Sequence, residues 1–173
     1  MIDVFAPYTV GSLTLKNRFV RSATGENRAT PDGVLTDEIF PIYEELAKGG
    51  VGLIITGHMG VDLAWKCGPK QTGNANDDHL PGLRRLARAS QGNGTKVMAQ
   101  INYIGRPPAE MSEDEIRDAA DNFLAAGRRT QEAGFDGVQI HAAHGYLLSG
   151  YLTASENKRT DRYGEGPEGR RRL

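Results

Sequence analysis

Four short apolar runs punctuate the chain: Phe19–Ala23, Val51–Ile55, Lys96–Ile101 and Phe135–Ile140. Each is too short for an independent helix, and each has the β-branched content of a buried strand. Helical spacing fills the intervals. Asp37 to Lys48 places Ile39, Ile42, Tyr43 and Leu46 on one face, and Leu80 to Ala89 does the same with Leu83 and Leu86. A third helix opens on Ser112-Glu113-Asp114-Glu115, a capping box in which the serine accepts from a free amide and the glutamate bonds back. Ile116, Ala119, Ala120, Phe123 and Ala126 then recur at helical spacing, and Gly134 supplies the stop. The phrases Ala47-Lys48-Gly49-Gly50-Val51 and Glu132-Ala133-Gly134-Phe135-Asp136 repeat one device, a helix that ends on glycine and feeds a buried strand.

Strand and helix alternating at a period of about forty residues imply right-handed parallel crossovers. Two architectures satisfy that order, a (β/α) barrel and a doubly wound open sheet. The open dinucleotide-binding sheet needs Gly-x-Gly-x-x-Gly after its first strand. Here the turn reads Ala23-Thr24-Gly25-Glu26-Asn27-Arg28, without that fingerprint. The α/β class with a TIM-type (β/α) barrel is therefore the expected fold. The chain has 173 residues, against the roughly 200–250 of a complete eight-fold barrel. The expectation is a single unit, residues 1–173, forming the N-terminal half of the barrel, truncated to about the first four βα units.

Charge and composition remove some classes of function. Lys plus Arg total 21 against 22 Asp plus Glu, so nothing in the balance points to nucleic acid or an anionic membrane. The run Arg170-Arg171-Arg172 lies beside Glu165 and Glu168 and reads as a solvated helix start. A lone cysteine, Cys67, rules out a disulfide framework within one chain and suits a reduced, cytoplasmic setting. The segment Met1–Phe5 lacks a basic stretch followed by an apolar run, and no apolar stretch approaches the roughly 20 residues of a membrane span.

In a parallel barrel the C-terminal strand ends build the active site. Those ends carry Thr24 and Gly25, then Gly57 and His58, then Gln100 and Tyr103, then His141, His144 and Tyr146. Thr24 and Gly25 serve equally well as a plain turn, and His58 as a loop histidine acting through its backbone. Gln100 sits inside an apolar run, where an unpaired amide costs about 1–3 kcal/mol, so it needs a partner: a backbone group or a polar ligand. The fourth end places two imidazoles and a phenol together. Such a trio can hold a carbonyl oxygen through two donors while the phenol delivers a proton. Two histidines can also bind zinc. The remaining ligands are not apparent, since His58 and His79 are the only other histidines and no carboxylate adjoins the motif, so no metal is expected.

These residues resemble the Old Yellow Enzyme family of FMN-dependent NAD(P)H:flavin oxidoreductases, which includes ene-reductases and 2,4-dienoyl-CoA reductases. The resemblance runs through Leu15-Lys16-Asn17-Arg18-Phe19-Val20, Gly52-Leu53-Ile54-Ile55-Thr56-Gly57 and Ala99-Gln100-Ile101-Asn102-Tyr103-Ile104-Gly105-Arg106. It is most specific at Glu132 to Leu148, with Gly137-Val138-Gln139-Ile140-His141-Ala142-Ala143-His144-Gly145-Tyr146, and at Asn157-Lys158-Arg159-Thr160-Asp161-Arg162-Tyr163-Gly164. It implies FMN at the mouth of the barrel, reduced by NAD(P)H, and a small α,β-unsaturated carbonyl as acceptor. It assigns His141 and His144 to the acceptor's carbonyl oxygen and Tyr146 to protonation of its α-carbon. Gln100 would bond the pyrimidine edge of the flavin. Ala23, Thr24 and Gly25 would line it, with His58 through its backbone and His141 beside it.

Three departures from the family pattern stand out. Gly25 replaces a Thr or Cys side chain that tunes the flavin, the stretch Ile104–Pro108 is short where the family inserts a longer excursion, and Leu173 falls inside the expected fourth helix. The expected partners are accordingly a complementing C-terminal half or a second copy of the chain. The alternative is a catalytically inactive half-barrel that self-associates through its open sheet edges.

Overall fold

The computed structural model describes residues 3–173. Met1 and Ile2, part of the N-terminal segment read above for a leader, lie outside the described residues. In chain order the elements are β1 (Tyr8–Val10), β2 (Leu13–Leu15), β3 (Val20–Arg21), α1 (Phe40–Lys48), β4 (Leu53–Ile55), β5 (Met59–Gly60), α2 (Leu80–Ser90), β6 (Lys96–Asn102), α3 (Glu113–Glu132), β7 (Gly137–Ile140), α4 (Leu147–Leu152) and α5 (Gly166–Arg170). Strands β3, β4, β6 and β7 fall on the four apolar runs and pair in parallel in that order. Strand β5 continues the β4 edge of β6 beyond Thr56. The result is an α/β structure with the strand order of the first four units of a (β/α) barrel.

Alternation along β6 sorts the two faces of the sheet. Val97 and Ala99 point outward with Ile54 into a cluster with Tyr43, Leu83 and Leu86 from α1 and α2. Ile101 joins Ile116, Ala119, Leu147 and Tyr151 from α3 and α4. Met98 points the other way and meets Leu53, Ile55 and the hairpin residues Leu13 and Leu15. That hairpin, β1 against β2 with Gly11 at φ +56° in its turn, was not anticipated from the sequence pattern. It closes the N-terminal end of the inner face, and Lys16 Nζ fixes it by donating to Asn93 O at 2.6 Å.

Helix ends follow from local chemistry. The capping box of α3 forms as expected: Glu115 N donates to Ser112 Oγ at 3.2 Å, and Ser112 N donates to Glu115 Oε2 at 2.8 Å. Gly50 and Gly134 take φ of +87° and +88°, and their amides satisfy Ala47 O and Gln131 O. Helix α1 starts three residues after Asp37, because Pro41 has no amide to donate and fits only the first turn. The Arg170–Arg172 run corrects the expectation of a helix start. Gly166 and Pro167 begin α5 earlier, so Arg170 lies in its last turn, where a cation suits the helix dipole.

One side chain sets the register of β7 on β6. Asp136 accepts from Lys96 Nζ at 2.8 Å, Val97 N at 2.9 Å and Gln91 Nε2 at 3.0 Å, while its own amide donates to Val97 O. Burial opposes ionisation of this carboxyl, but the hydrogen bonds from Gln91, Lys96 and Val97 outweigh it and lower the pKa. The segment 157–164 is a second clamp. Asn157 Nδ2 donates to Tyr151 O and Tyr163 O, both at 2.9 Å, and Arg159 Nη1 reaches Pro108 O at 2.6 Å.

Two sheet edges, β3 and β7, carry no strand among the described residues. Apolar side chains flank both. Phe5 is 71% exposed beside Phe19 and Val20 at one edge, and Ile140 is 55% exposed at the other, above a groove with Phe123, Leu124 and Val138. Among the described residues no helix is long and apolar enough to cross a membrane.

Replacing Asp136 with Ala leaves the Val97 amide and the Lys96 ammonium without their partner and is expected to destabilise the fold by about 1–3 kcal/mol, read from urea unfolding. A carboxyl whose folded pKa is depressed contributes above its unfolded pKa and loses that contribution as pH falls through the folded value. The gap between wild type and variant should therefore hold from pH 7 to about 5 and close below about 4.

Candidate active site at the mouth of the sheet

The C-terminal ends of β3, β4, β6 and β7 converge, as parallel strands of one sheet require. Arg21, the last residue of β3, donates from Nη1 to Ile55 O at 2.9 Å and from Nη2 to Glu26 at 2.6 Å. The same carboxylate oxygen accepts from Tyr43 OH at 2.7 Å, and Gly57 N donates to that hydroxyl at 3.1 Å. Burial first, then the Glu26 charge, raise the Tyr43 pKa far above the ordinary phenol value. Gly57 has no alternative here, since a Cβ would lie 2.2 Å from Glu26 Oε2 and 2.6 Å from Thr24 O. A helix, two strand ends and a loop are thus locked together immediately before His58.

Each site residue expected from the sequence has a definite place. Ala23 is half-buried, Thr24 and Gly25 are exposed, and a Cβ on Gly25 would stand 3.5 Å from His58 Nε2. Thr24 Oγ1 has only a long contact of 3.4 Å with Ser22 O. Gln100 faces inward beside Met98, and its partner is a side chain: Nε2 donates to Gln139 Oε1 at 2.6 Å, across the register pair Gln100↔Gln139. His141 follows β7 and donates its backbone amide to Ile101 O. Its ring lies 5.8 Å from His58, 5.3 Å from His144 and 5.0 Å from Tyr146, measured between centroids. The four rings form one cluster drawn from two strand ends.

Two features of this cluster are unusual for a mere packing arrangement. His141 is 9% exposed, yet its Nε2 has no hydrogen-bond partner. Burying such a group unpaired costs free energy that a bound polar atom would recover. His144 takes φ +60° and Gly145 φ +74°, a left-handed pair that throws the chain back across the mouth. Burial, followed by the neighbouring His58 and His144, lowers the His141 pKa, so at neutral pH the ring is uncharged and offers one N–H.

Side chains that the sequence did not single out complete the mouth. Gln71, 3% exposed, donates through Nε2 to His58 Nδ1 at 2.8 Å and to Asn102 Oδ1 at 2.7 Å. Cys67 N donates to Gln71 Oε1 at 2.7 Å, and the Cys67 thiol donates to Tyr146 OH at 3.1 Å. The Cys67 sulfur beside the phenol, then burial, raise the Tyr146 pKa to about 12. Asn102 alone carried a signal, as a polar residue ending an apolar run. Cys67 and Gln71 come from an irregular loop, where periodicity is silent. His79 is not part of the mouth: it is buried in a 3-10 turn, with Nε2 against Asp32 O at 2.9 Å and Gly73 beneath it. Among the described residues no three His, Cys, Asp or Glu side chains converge as a metal site.

A flat, polar, aromatic cofactor fits these residues. The donor set is an uncharged imidazole with a free ring nitrogen, a primary amide pair and a glycine-opened strand end.

The sequence profile of the family described as NADH:flavin oxidoreductase / NADH oxidase matches residues 3–109 and 107–173, dividing in the loop between β6 and α3. A metal reductase of Desulforamulus reducens is 36% identical over 95% of the chain and 28% of its own length. An NADPH dehydrogenase of Bacillus subtilis is 34% identical over 98% of the chain and 57% of its own length. That alignment runs over 192 positions, more than the 173 residues present, so the relative has residues without a counterpart here. Among solved structures, an old yellow enzyme homologue from Zymomonas mobilis superposes with a TM-score of 0.91 at 28% identity, over 98% of the chain and 56% of its own. A 2-naphthoyl-CoA reductase in complex with 2-naphthoyl-CoA gives 0.91 at 26% identity, over 96% and 31%. The chain spans about half the length of the NADPH dehydrogenase it matches, and less of the longer metal reductase.

Proton NMR titration of the four histidines should find His141 below the ordinary value of about 6.5. Replacing His58 with Asn removes one of the neighbours that disfavour its cation, so the His141 midpoint should then move up.

Proposed function

The chain belongs to the NADH:flavin oxidoreductase / NADH oxidase family, and on that premise we propose that it supplies the acceptor side of an FMN-dependent NAD(P)H oxidoreductase. The reaction is reduction of the C=C bond of an α,β-unsaturated carbonyl compound. The observation that carries this reading is the buried, unpartnered Nε2 of His141, set among His58, His144 and Tyr146.

In this reading His141 and His144 donate to the carbonyl oxygen of the acceptor. His141 is an uncharged donor at neutral pH, and withdrawing electron density through the oxygen makes the β-carbon electrophilic. FMN, when bound, supplies hydride obtained from the nicotinamide donor. Tyr146 delivers a proton to the α-carbon. Its phenol suits the task because a pKa of about 12 keeps it protonated throughout the neutral range. Gln100, held inward by Gln139, would hydrogen-bond the pyrimidine edge of FMN. Ala23, Thr24 and Gly25 would line the cofactor, and His58 would add its backbone. The absence of a side chain at Gly25 leaves that face open to the ring system. NADPH is the donor suggested by relatives named as NADPH dehydrogenases.

Residues 1–173 form the first four βα units in this reading, and a second half-barrel completes the cofactor site. The unpaired edges at β3 and β7, flanked by Phe5, Phe19 and Ile140, are the surfaces such a half would cover. Self-association of two copies through the same edges is the competing arrangement. Desalting after incubation with FMN, followed by a visible spectrum, tests the reading: flavin should be retained by the chain joined to, or mixed with, a C-terminal half from a relative. No retention under either condition removes it.

In the completed protein Tyr146→Phe should slow alkene reduction by about 10²–10⁴-fold while leaving NADPH-dependent flavin reduction unchanged in stopped flow. The wild-type rate should show no loss of the donor as pH rises through 10, because the phenol is held protonated to about 12.

A further inference from the structure

Cys67 is the chain's single cysteine and is exposed at the mouth. It is nonetheless held. Its amide is bonded to Gln71 Oε1 at 2.7 Å, and Asn102 Nδ2 points at its sulfur from 3.5 Å. Gln71 and Asn102 are 3% and 0% exposed, so the loop is anchored on two buried amides. The sulfur lies 3.1 Å from Tyr146 OH and 3.7 Å from His58 Nδ1. Those two side chains flank His141, whose buried Nε2 lacks a partner. The thiol thus touches the phenol, and the ring that carries the buried, unpartnered nitrogen lies 5.0 Å from that phenol, centroid to centroid.

We propose that Cys67 is a nucleophile toward the acceptor: its sulfur adds to the β-carbon of the electron-poor alkene held by His141 and Tyr146, capturing it as a thioether. The proposal rests on the reading of His141 and Tyr146 as the acceptor's clamp. In the step an S–C bond forms at the β-carbon and the C=C π bond breaks. Its electrons pass to the carbonyl oxygen, held by His141 Nε2. The thiol proton moves to the phenol oxygen as the phenol proton is delivered to the α-carbon. Sulfur and hydrogen have then added across the double bond, with no change of oxidation state that calls for a further reagent. Strong electrophiles such as enals and quinones would block the mouth in this way.

The test compares 2-cyclohexen-1-one, which needs an oxyanion clamp and a proton, with iodoacetamide, which needs neither. Rates of modification of the purified chain are followed by intact-mass spectrometry, with N-acetylcysteine as the free-thiol reference. The expected result is an enone-to-iodoacetamide rate ratio about tenfold to a hundredfold above that of the free thiol. The ratio should collapse to the free-thiol value in Tyr146→Phe and in His141→Gln; because each enone rate is divided by the same variant's iodoacetamide rate, any change in the thiol's own reactivity cancels. The adduct should be absent in Cys67→Ser. A ratio equal to that of N-acetylcysteine, or one unchanged in Tyr146→Phe, overturns the proposal. Flavin retention, measured separately, judges the oxidoreductase reading, so each can fail without the other.

Discussion

The sheet depends on β6 and on the one carboxylate that fixes its neighbour. Among the described residues β6 pairs with three strands, β4 and β5 on one side and β7 on the other. A slip of one residue between β6 and β7 would turn Gln139 and His141 outward and Ile140 inward. Asp136 prevents the slip by gripping the first residues of β6 through Lys96 Nζ and the Val97 amide. The grip is partly buried and fully hydrogen-bonded, which makes it specific in a way that surface ion pairs such as Lys48–Glu45 are not. From that register follow the Gln100–Gln139 pair and the place of His141 at the mouth.

The mouth itself is built from two kinds of support. Beneath β3 and β4, Arg21, Glu26, Tyr43 and the Gly57 amide form a charged and hydrogen-bonded knot that leaves no room for a side chain at residue 57. Beneath the loop after β5, Gln71 and Asn102 hold Cys67 and His58. The four clustered rings are therefore carried by buried polar contacts on one side and by strand hydrogen bonds on the other. A site so supported can afford to leave one buried nitrogen unpaired.

Much of this was legible in the sequence, for physical reasons that differ by element. The inner strands β4 and β6 and the three longer helices announced themselves because each buries apolar residues, and periodicity reports burial; β3 and β7 read as apolar runs although Val20 and Ile140 lie exposed at the sheet edges. The Ser112 capping box and the glycines at 50 and 134 were readable because they are local. Gathering of polar residues at strand ends was readable because the barrel topology puts all four ends on one side. The N-terminal hairpin escaped because β1 is exposed throughout and only Leu15 of β2 is fully buried, so it shows no clear alternation. The Gln100 partner escaped because a cross-strand side-chain pair needs the register, and the register rests on Asp136. Cys67 and Gln71 escaped because contacts over tens of residues from an irregular loop leave no pattern in the chain.

The left-handed backbone at His144 narrows what this position can become as the sequence drifts. With φ at +60°, a β-branched or bulky apolar residue is strained there, whereas Asn, Asp, His and Gly visit this region readily. The donor role proposed for this position would further strike out Asp, which only accepts when ionised, and Gly, which has no side chain. Two residue types survive both filters, His and Asn. A single dihedral angle, set by the turn into α4, thus decides which side chains can ever stand beside His141.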